Sequence, residues 1–327
     1  YGHGIAEVGK ILDDMRSPYL CVDRMFEGYE LIKAGIRTPI LIMGAINPEN
    51  LKIKRLPFSY VVFDLETTQS IAHYQPGAEI HMEVDTGMSR LGVQMSDLPQ
   101  FLGKIQQIPH LNIVGFMSHF ANAERADIPI TRKQIKNFLE AYSMVRDSGL
   151  NPKYVHMEAS AALLNREVRS QLPMTTMARI GKALYGIEPT EKGQKLKPVL
   201  SLETQIAQIK PLQKGDTVGY GATYTVKRDM NVAVLPLGYN DGLDRRLSNK
   251  GSVIVGNVIC PIIGRISMNM TTIDVSLVKN PHVGQKVTVI SENRNDPNSI
   301  ENIAKKCETI SHELLIHIDS STRRTVI

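Results

Sequence analysis

One pattern constrains this chain more than any other. In its first part, short β-branched or apolar runs recur, each followed by a residue capable of chemistry and then by a helical stretch. The runs are TPILIMG (38–44), FSYVVFD (58–64), EIHMEVD (79–85), NIVGFMSH (112–119) and KYVHME (153–158). Strands alternating with helices at this spacing predict a parallel sheet. The clearest helix is expected over 131–148, with Ile135, Phe138, Leu139 and Tyr142 on one face and Gly149 as its stop. Asp85, His119 and His156 close or nearly close these runs, and Arg90, Ser160 and Arg179 follow them. Working residues scattered over the C-terminal ends of several strands belong to a (β/α)8 barrel. A doubly wound sheet would carry GxGxxG after its first strand, and the chain has none.

From about Leu196 the texture changes to short β-branched runs split by Gly, Pro, Asn and Asp, such as SLETQIAQIKPLQKGDTVGYGATYTV and KGSVIVGNVICPIIGRISMNM. A mostly β C-terminal domain over 196–327 is therefore expected behind a barrel domain over 1–195. The 327-residue length accommodates both. A net charge of +5, with no Lys/Arg run interleaved with aromatics, gives nucleic-acid binding little support. A small anionic cofactor or substrate needs only a local positive pocket. Three widely spaced cysteines, Cys21, Cys260 and Cys307, argue against a disulfide framework or a metal site. They fit a reducing, cytoplasmic compartment, and no apolar stretch is long enough to span a bilayer.

Seven stretches together resemble the alanine racemases, a pyridoxal-phosphate family built from a barrel and a β-domain. They are YGHG (1–4), DTGMSRLG (85–92), SHFANAE (118–124), ARIGKALYGI (178–187), VGYGATY (218–224), GYNDG (238–242) and GRISMNM (264–270), in the family's order along essentially the whole chain. The resemblance implies pyridoxal phosphate bound by Tyr1, Ser160 and the Gly181–Lys182 turn, with His156 and Arg179 also at the cofactor. Backbone amides converging at a glycine turn suit an anion. Arg179 would face the pyridine nitrogen, where an arginine can only donate. Racemisation needs a base on each face of the α-carbon. The resemblance gives one face to Tyr220 of a partner subunit, linked through His119 to Arg179, which implies a head-to-tail homodimer. The other face falls to a Schiff-base lysine, expected in KANAYGHG and hence, with the first barrel strand, ahead of Tyr1. Arg90 and the Met268 amide would hold the substrate carboxylate, while Tyr239, Arg245, Arg265 and Asn269 would line the entrance. His3, His73, His110 and His317 are read as structural.

The chain departs from the family pattern in places. Glu83 stands where many members carry a carbamylated lysine, and is expected to position Arg90 by a charge-assisted hydrogen bond. Asn269 replaces an acidic residue, Ala159 an asparagine, and Ser320 falls where a phosphate-contacting tyrosine is usual. The implied function is interconversion of L- and D-alanine, supplying D-alanine for peptidoglycan. A serine or broader small-amino-acid racemase and a silent pyridoxal-phosphate-binding protein are the alternatives.

Overall fold

The computed structural model describes residues 1–189 and 196–327. It divides into two compact units, one of Ile5–Leu184 and one that gathers Tyr1–Gly4, Tyr185–Ile187 and Leu196–Ile327. The boundary expected between 195 and 196 touches 190–195, which lie outside the described residues.

The first unit alternates helix and strand: α1 (Ile5–Asp14), β1 (Leu20–Val22), α2 (Met25–Lys33), β2 (Ile40–Ile42), β3 (Phe58–Val62), α3 (Leu65–Tyr74), β4 (Ala78–Asp85), β5 (Val93–Gln94), α4 (Leu98–Ile105), β6 (Leu111–Met117), α5 (Pro129–Asp147), β7 (Tyr154–His156), α6 (Ser160–Leu164) and α7 (Arg166–Arg169). Its sheet runs β1-β2-β3-β4-β6-β7, every pair parallel, with β5 attached to β4. This is the curled, barrel-type sheet that the alternation predicts. β2 and β3 are buried along their whole length, as strands covered on both faces must be. Beyond β7, residues 176–179 run beside residues 155–158, with Thr176 N–H donating to Val155 O (2.8 Å) and Arg179 N–H to Glu158 O (2.9 Å).

Side chains alternate across a strand, and in β4 the alternation separates two environments. Ile80, Met82 and Val84 join the large core under the helices. Between them His81, Glu83 and Asp85 are buried on the opposite, inner face. The register shifts between Ile80 and His81, which bring Ile113 and Gly115 of β6 opposite. Gly115 has to lack a side chain, because a Cβ there would lie 2.1 Å from His81 Nδ1.

Helix α5 begins two residues earlier than expected and ends before Gly149, which takes φ +88°. Its buried stripe is Thr131, Gln134, Ile135, Phe138, Ala141 and Val145. Leu139, expected on the inner face, is exposed. It lies only one residue past Phe138, about 100° around the helix, and polar Gln134 takes the interior place.

The second unit is mostly β: β8 (Leu202–Gln205), β9 (Gln208–Leu212), β10 (Thr217–Val218), β11 (Tyr224–Thr225), β12 (Met230–Leu235), β13 (Ser252–Val255), β14 (Val258–Pro261), β15 (Thr271–Asp274) and β16 (Lys286–Ile290), closed by α8 (Ile300–Lys306) and α9 (Ser311–Ile316). The strands form antiparallel sheets β15-β12-β9 and β14-β13-β16-β8 and the pair β10-β11. The two C-terminal helices are an addition to the strand pattern read from the sequence. Leu314 and Leu315 of α9 join the core built on Val253, Val255, Val287 and Val289. No helix among the described residues is long and apolar enough to cross a membrane.

Candidate active site

The barrel unit gathers its expected site residues around Arg179, which is buried. Its Nη1 donates to His156 Nδ1 at 2.5 Å and to His156 O at 3.2 Å. Its Nη2 donates to Ser118 O at 2.7 Å and to His119 Nδ1 at 2.9 Å. A guanidinium has only donors, so both histidines must accept through Nδ1 and carry their protons on Nε2. The direction propagates one residue further. His156 Nε2 lies 2.8 Å from His81 Nδ1, so His156 donates and His81 also keeps its proton on Nε2. One arginine thus fixes the tautomer of three imidazoles.

Their protonation follows from the same burial. Desolvation, then the Arg179 charge, lowers the His81 pKa to about 3. Desolvation, Arg179 and Arg90 lower that of His119 to about 4, and His156 is pushed well below its ordinary value by burial, Arg179 and His81. All three are neutral near pH 7. Arg179 is itself shifted down by burial, against the opposing pull of Cys21, Glu83 and Glu158. Among the described residues it has no carboxylate in ion-pair contact, and its Nε is buried with no hydrogen-bond partner. A buried charged donor without an acceptor is costly.

Just after Arg179 in the chain, Gly181 and Ala183 donate their backbone N–H groups to Ser160 Oγ, both at 3.2 Å. The serine at the start of α6 and the turn at 181–183 are therefore one cluster, with Lys182 half-buried between the two amides. Asp85 organises the loop bearing Arg90: its Oδ1 accepts from Gly87 N–H (2.9 Å) and Ser89 N–H (3.0 Å). Arg90 itself is exposed. Glu83 does not contact it as expected; the two make no hydrogen bond or ion pair. Burial raises the Glu83 carboxyl, while Arg179 and then Arg90 pull it down through space. The reason is positional: Glu83 is held on the inner face of β4, and Arg90 projects from the loop beyond that strand.

The second unit assembles the remaining expected residues on loops. Tyr220 sits between Gly219 (φ +74°) and Gly221 (φ +72°), and a Cβ on Gly219 would lie 2.9 Å from Arg265 N. The 264–270 segment also accepts from the next loop, through Tyr239 N–H to Ser267 O (3.1 Å) and Asn240 N–H to Met268 O (2.9 Å). Ile266 N–H donates to Ser248 Oγ (3.1 Å), whose hydroxyl donates to Arg245 O (2.6 Å). Tyr220, Tyr239, Arg245, Arg265, Met268 and Asn269 are thereby gathered, and all are exposed. Tyr1 belongs to this unit, its ring 5.1 Å from that of Tyr185 and 5.0 Å from that of His312. Ser320 is exposed, its carbonyl held by Arg324.

Sequence reasoning missed His81 and Gln134. His81 lies within a run read only as a strand. Its signal was period two, since His81, Glu83 and Asp85 put three polar residues on one face. Gln134 showed none beyond a helical polar position. No cluster of metal-ligating residues exists among the described residues.

Comparison with known proteins points to one family over nearly the whole length. Residues 1–189 match the family description "Alanine racemase, N-terminal domain" and 199–326 match "Alanine racemase, C-terminal domain". An alanine racemase of Geobacter sp. (strain M21) is 35% identical, over 99% of this chain and 88% of its own length. One from Syntrophobacter fumaroxidans is 33% identical, over 97% and 86%. Among solved structures, alanine racemase of Clostridium difficile 630 superposes with a TM-score of 0.89 at 29% identity, over 98% and 84%. The Bacillus anthracis enzyme with bound L-Ala-P gives 0.87 at 32%, over 98% and 83%.

Proposed function

Since this chain belongs to the alanine racemase family of isomerases, we propose that it interconverts L- and D-alanine with pyridoxal phosphate held on the barrel unit. The observation that carries the cofactor is the buried, unpartnered Nε–H of Arg179. It fits a ring nitrogen that carries no proton of its own and therefore accepts. The Ser160 hydroxyl and the 181–183 amides suit the phosphate, because they are neutral or positive donors close together. Bound there, the cofactor would draw electrons from the substrate's α-carbon and make its proton acidic.

The chain's own residues then divide the work. Arg179 would hold the ring nitrogen by donating to it and so keep it from acquiring a proton, which would limit how far charge spreads and favour return of the proton to the same carbon. His119, accepting at Nδ1, has its Nε2–H available for a phenol oxygen. That oxygen belongs to Tyr220 of the partner subunit in our reading. A donated hydrogen bond, with the Arg179 charge behind it, suits that phenol oxygen to act as a base. Tyr220 Oη removes or returns the α-proton on one face, and the opposite face falls to the lysine amine that the resemblance assigns. Arg90 and the Met268 amide hold the carboxylate; no partner for that N–H is found among the described residues. The exposure of the whole Tyr220–Met268 loop cluster supports a homodimer in which it covers a partner's barrel site. D-alanine for peptidoglycan is the role this reaction serves.

The test is spectroscopic and kinetic. Full-length protein with pyridoxal phosphate should absorb in the visible, lose that band on borohydride reduction, and exchange the α-hydrogen of L-alanine with solvent deuterium. Absorption without exchange would leave a silent carrier. Faster turnover of L-serine than of L-alanine would shift the substrate to the one that Asn269 and Ala159 leave open.

A further inference from the structure

The barrel-facing side of α5 carries polar residues that the chemistry above does not use. Thr131, Gln134 and Asn137 recur every three residues along one flank. Thr131 Oγ1 donates to Asn122 O at 3.0 Å, and Asn137 Nδ2 donates to Thr86 O at 2.9 Å. Gln134, between them, is completely buried, and its whole amide is engaged. Nε2 donates to His119 O at 2.9 Å and to Thr86 Oγ1 at 3.3 Å, while Oε1 accepts from Ala121 N–H at 2.9 Å.

A buried amide is tolerated only when its donors and acceptor are matched, and an aliphatic residue would serve the helix stripe without that demand. The three bonds go to two loops. One holds His119, whose imidazole is already fixed by Arg179, so Gln134 fixes the backbone of the same residue from the opposite side. The other begins at Thr86 and continues through the Asp85-capped turn to Arg90. Thr86 Oγ1 also meets Ser118 Oγ at 2.7 Å, closing a small ring of Thr86, Ser118, His119 and Gln134. The turn is close enough that a Cβ on Gly87 would lie 3.3 Å from Gln134 Cγ.

We propose that Gln134 is a positioning residue for racemisation, setting the spacing between the His119 imidazole and the Arg90 loop from an outer helix. This rests on the roles assigned above to His119 and Arg90. Displacing either group by about 1 Å can lower the rate by up to about a hundredfold, so the effect on catalysis exceeds that on folding.

The test uses the holoenzyme, with kcat and KM for L-alanine and the thermal midpoint measured together. Gln134→Met keeps the volume and removes all three bonds; KM should rise and kcat fall, each by about tenfold, with the cofactor absorbance retained. Thr86→Val removes the Gln134 bond to the Arg90 loop and the Ser118 contact but leaves the Gln134–His119 bond, so KM should rise by about threefold or more while kcat falls less than in Gln134→Met. Thr86→Ser, which keeps the hydroxyl, should restore KM. A merely structural role would lower the midpoint and leave KM untouched, and that result overturns the proposal. Should Gln134→Met fail to fold, the Thr86→Val and Thr86→Ser pair decides by the same criterion. Arg90→Ala separates the layers. An unchanged KM there removes the assigned role of Arg90 and this proposal with it. A raised KM, with Gln134→Met and Thr86→Val both silent, overturns this proposal alone.

Discussion

The two units hold their site residues in opposite ways. In the barrel unit Arg179 is 9% exposed and its neighbours His81 and His156 are fully buried; apart from Arg179 Nε and His81 Nε2, these polar groups are held by one another. In the β-unit Tyr220 is 70% exposed and Met268 53%, and the side chains are placed only by the backbone of the loops that carry them. The contrast separates two kinds of preorganisation. A buried arginine–histidine chain is fixed by mutual hydrogen bonds in low dielectric, where a wrong protonation state is expensive. An exposed loop residue is positioned by glycine geometry, and its own side chain is available to something outside its unit.

That difference should appear first in stability against pH. Folded His119 and His81 take up protons only near pH 4 and 3, whereas unfolded imidazoles do so near 6.5. Below 6.5 the unfolded chain therefore binds more protons, and stability falls with pH through that window; above it nothing is lost. Each imidazole contributes a slope of up to about 1.4 kcal/mol per pH unit. The barrel has three such groups, and the β-unit has one among the described residues, His3, lowered to about 4 mainly by burial. Thermal melts should be flat above neutrality and drop steeply as pH falls through this window. A midpoint indifferent to pH over that range would mean the imidazoles are not buried neutral.

A smaller effect is expected for Gly115→Ala. The new methyl would occupy the place of the His81 ring and push it away from His156. Overpacking of this kind costs about 1–3 kcal/mol, readable as a lowered denaturation midpoint, with activity falling alongside as Arg179 loses its backing. Tyr220→Phe should show the smallest change in stability and a large one in rate. Its hydroxyl is exposed, so the midpoint should not move, while kcat should drop by about 10²–10⁴ if Tyr220 is a base. A Tyr220→Phe enzyme that keeps its rate, or a Gly115→Ala enzyme that keeps its midpoint, would break the distinction between the units.

Much of this was legible beforehand. The short β-branched or apolar runs and their spacing announced a parallel sheet, and the residues at or after run ends included Arg179, His119 and His156, which hydrogen bonds bring together. Gly149 stopped α5 where expected. Other features were hidden for physical reasons. Leu139 looked internal because an apolar residue at helical spacing carries no mark of which neighbour will outcompete it. Glu83 and Arg90 looked like a pair because they are close in sequence, yet strand alternation sends one inward while the other stands on the loop. His81 and Gln134 carry no motif.

The sequence by itself determined the alternation of elements, the change of texture near Leu196, and the family to which the ordered motifs belong. These are local or linear properties, written in side-chain periodicity and in glycine placement. Only the tertiary structure decided which polar groups satisfy one another. The direction of hydrogen bonding from Arg179 through His156 to His81, the unpartnered Nε–H and the Gln134 bridge depend on residues brought together from distant strands. A donor's partner is set by packing in three dimensions, and no spacing along the chain encodes it.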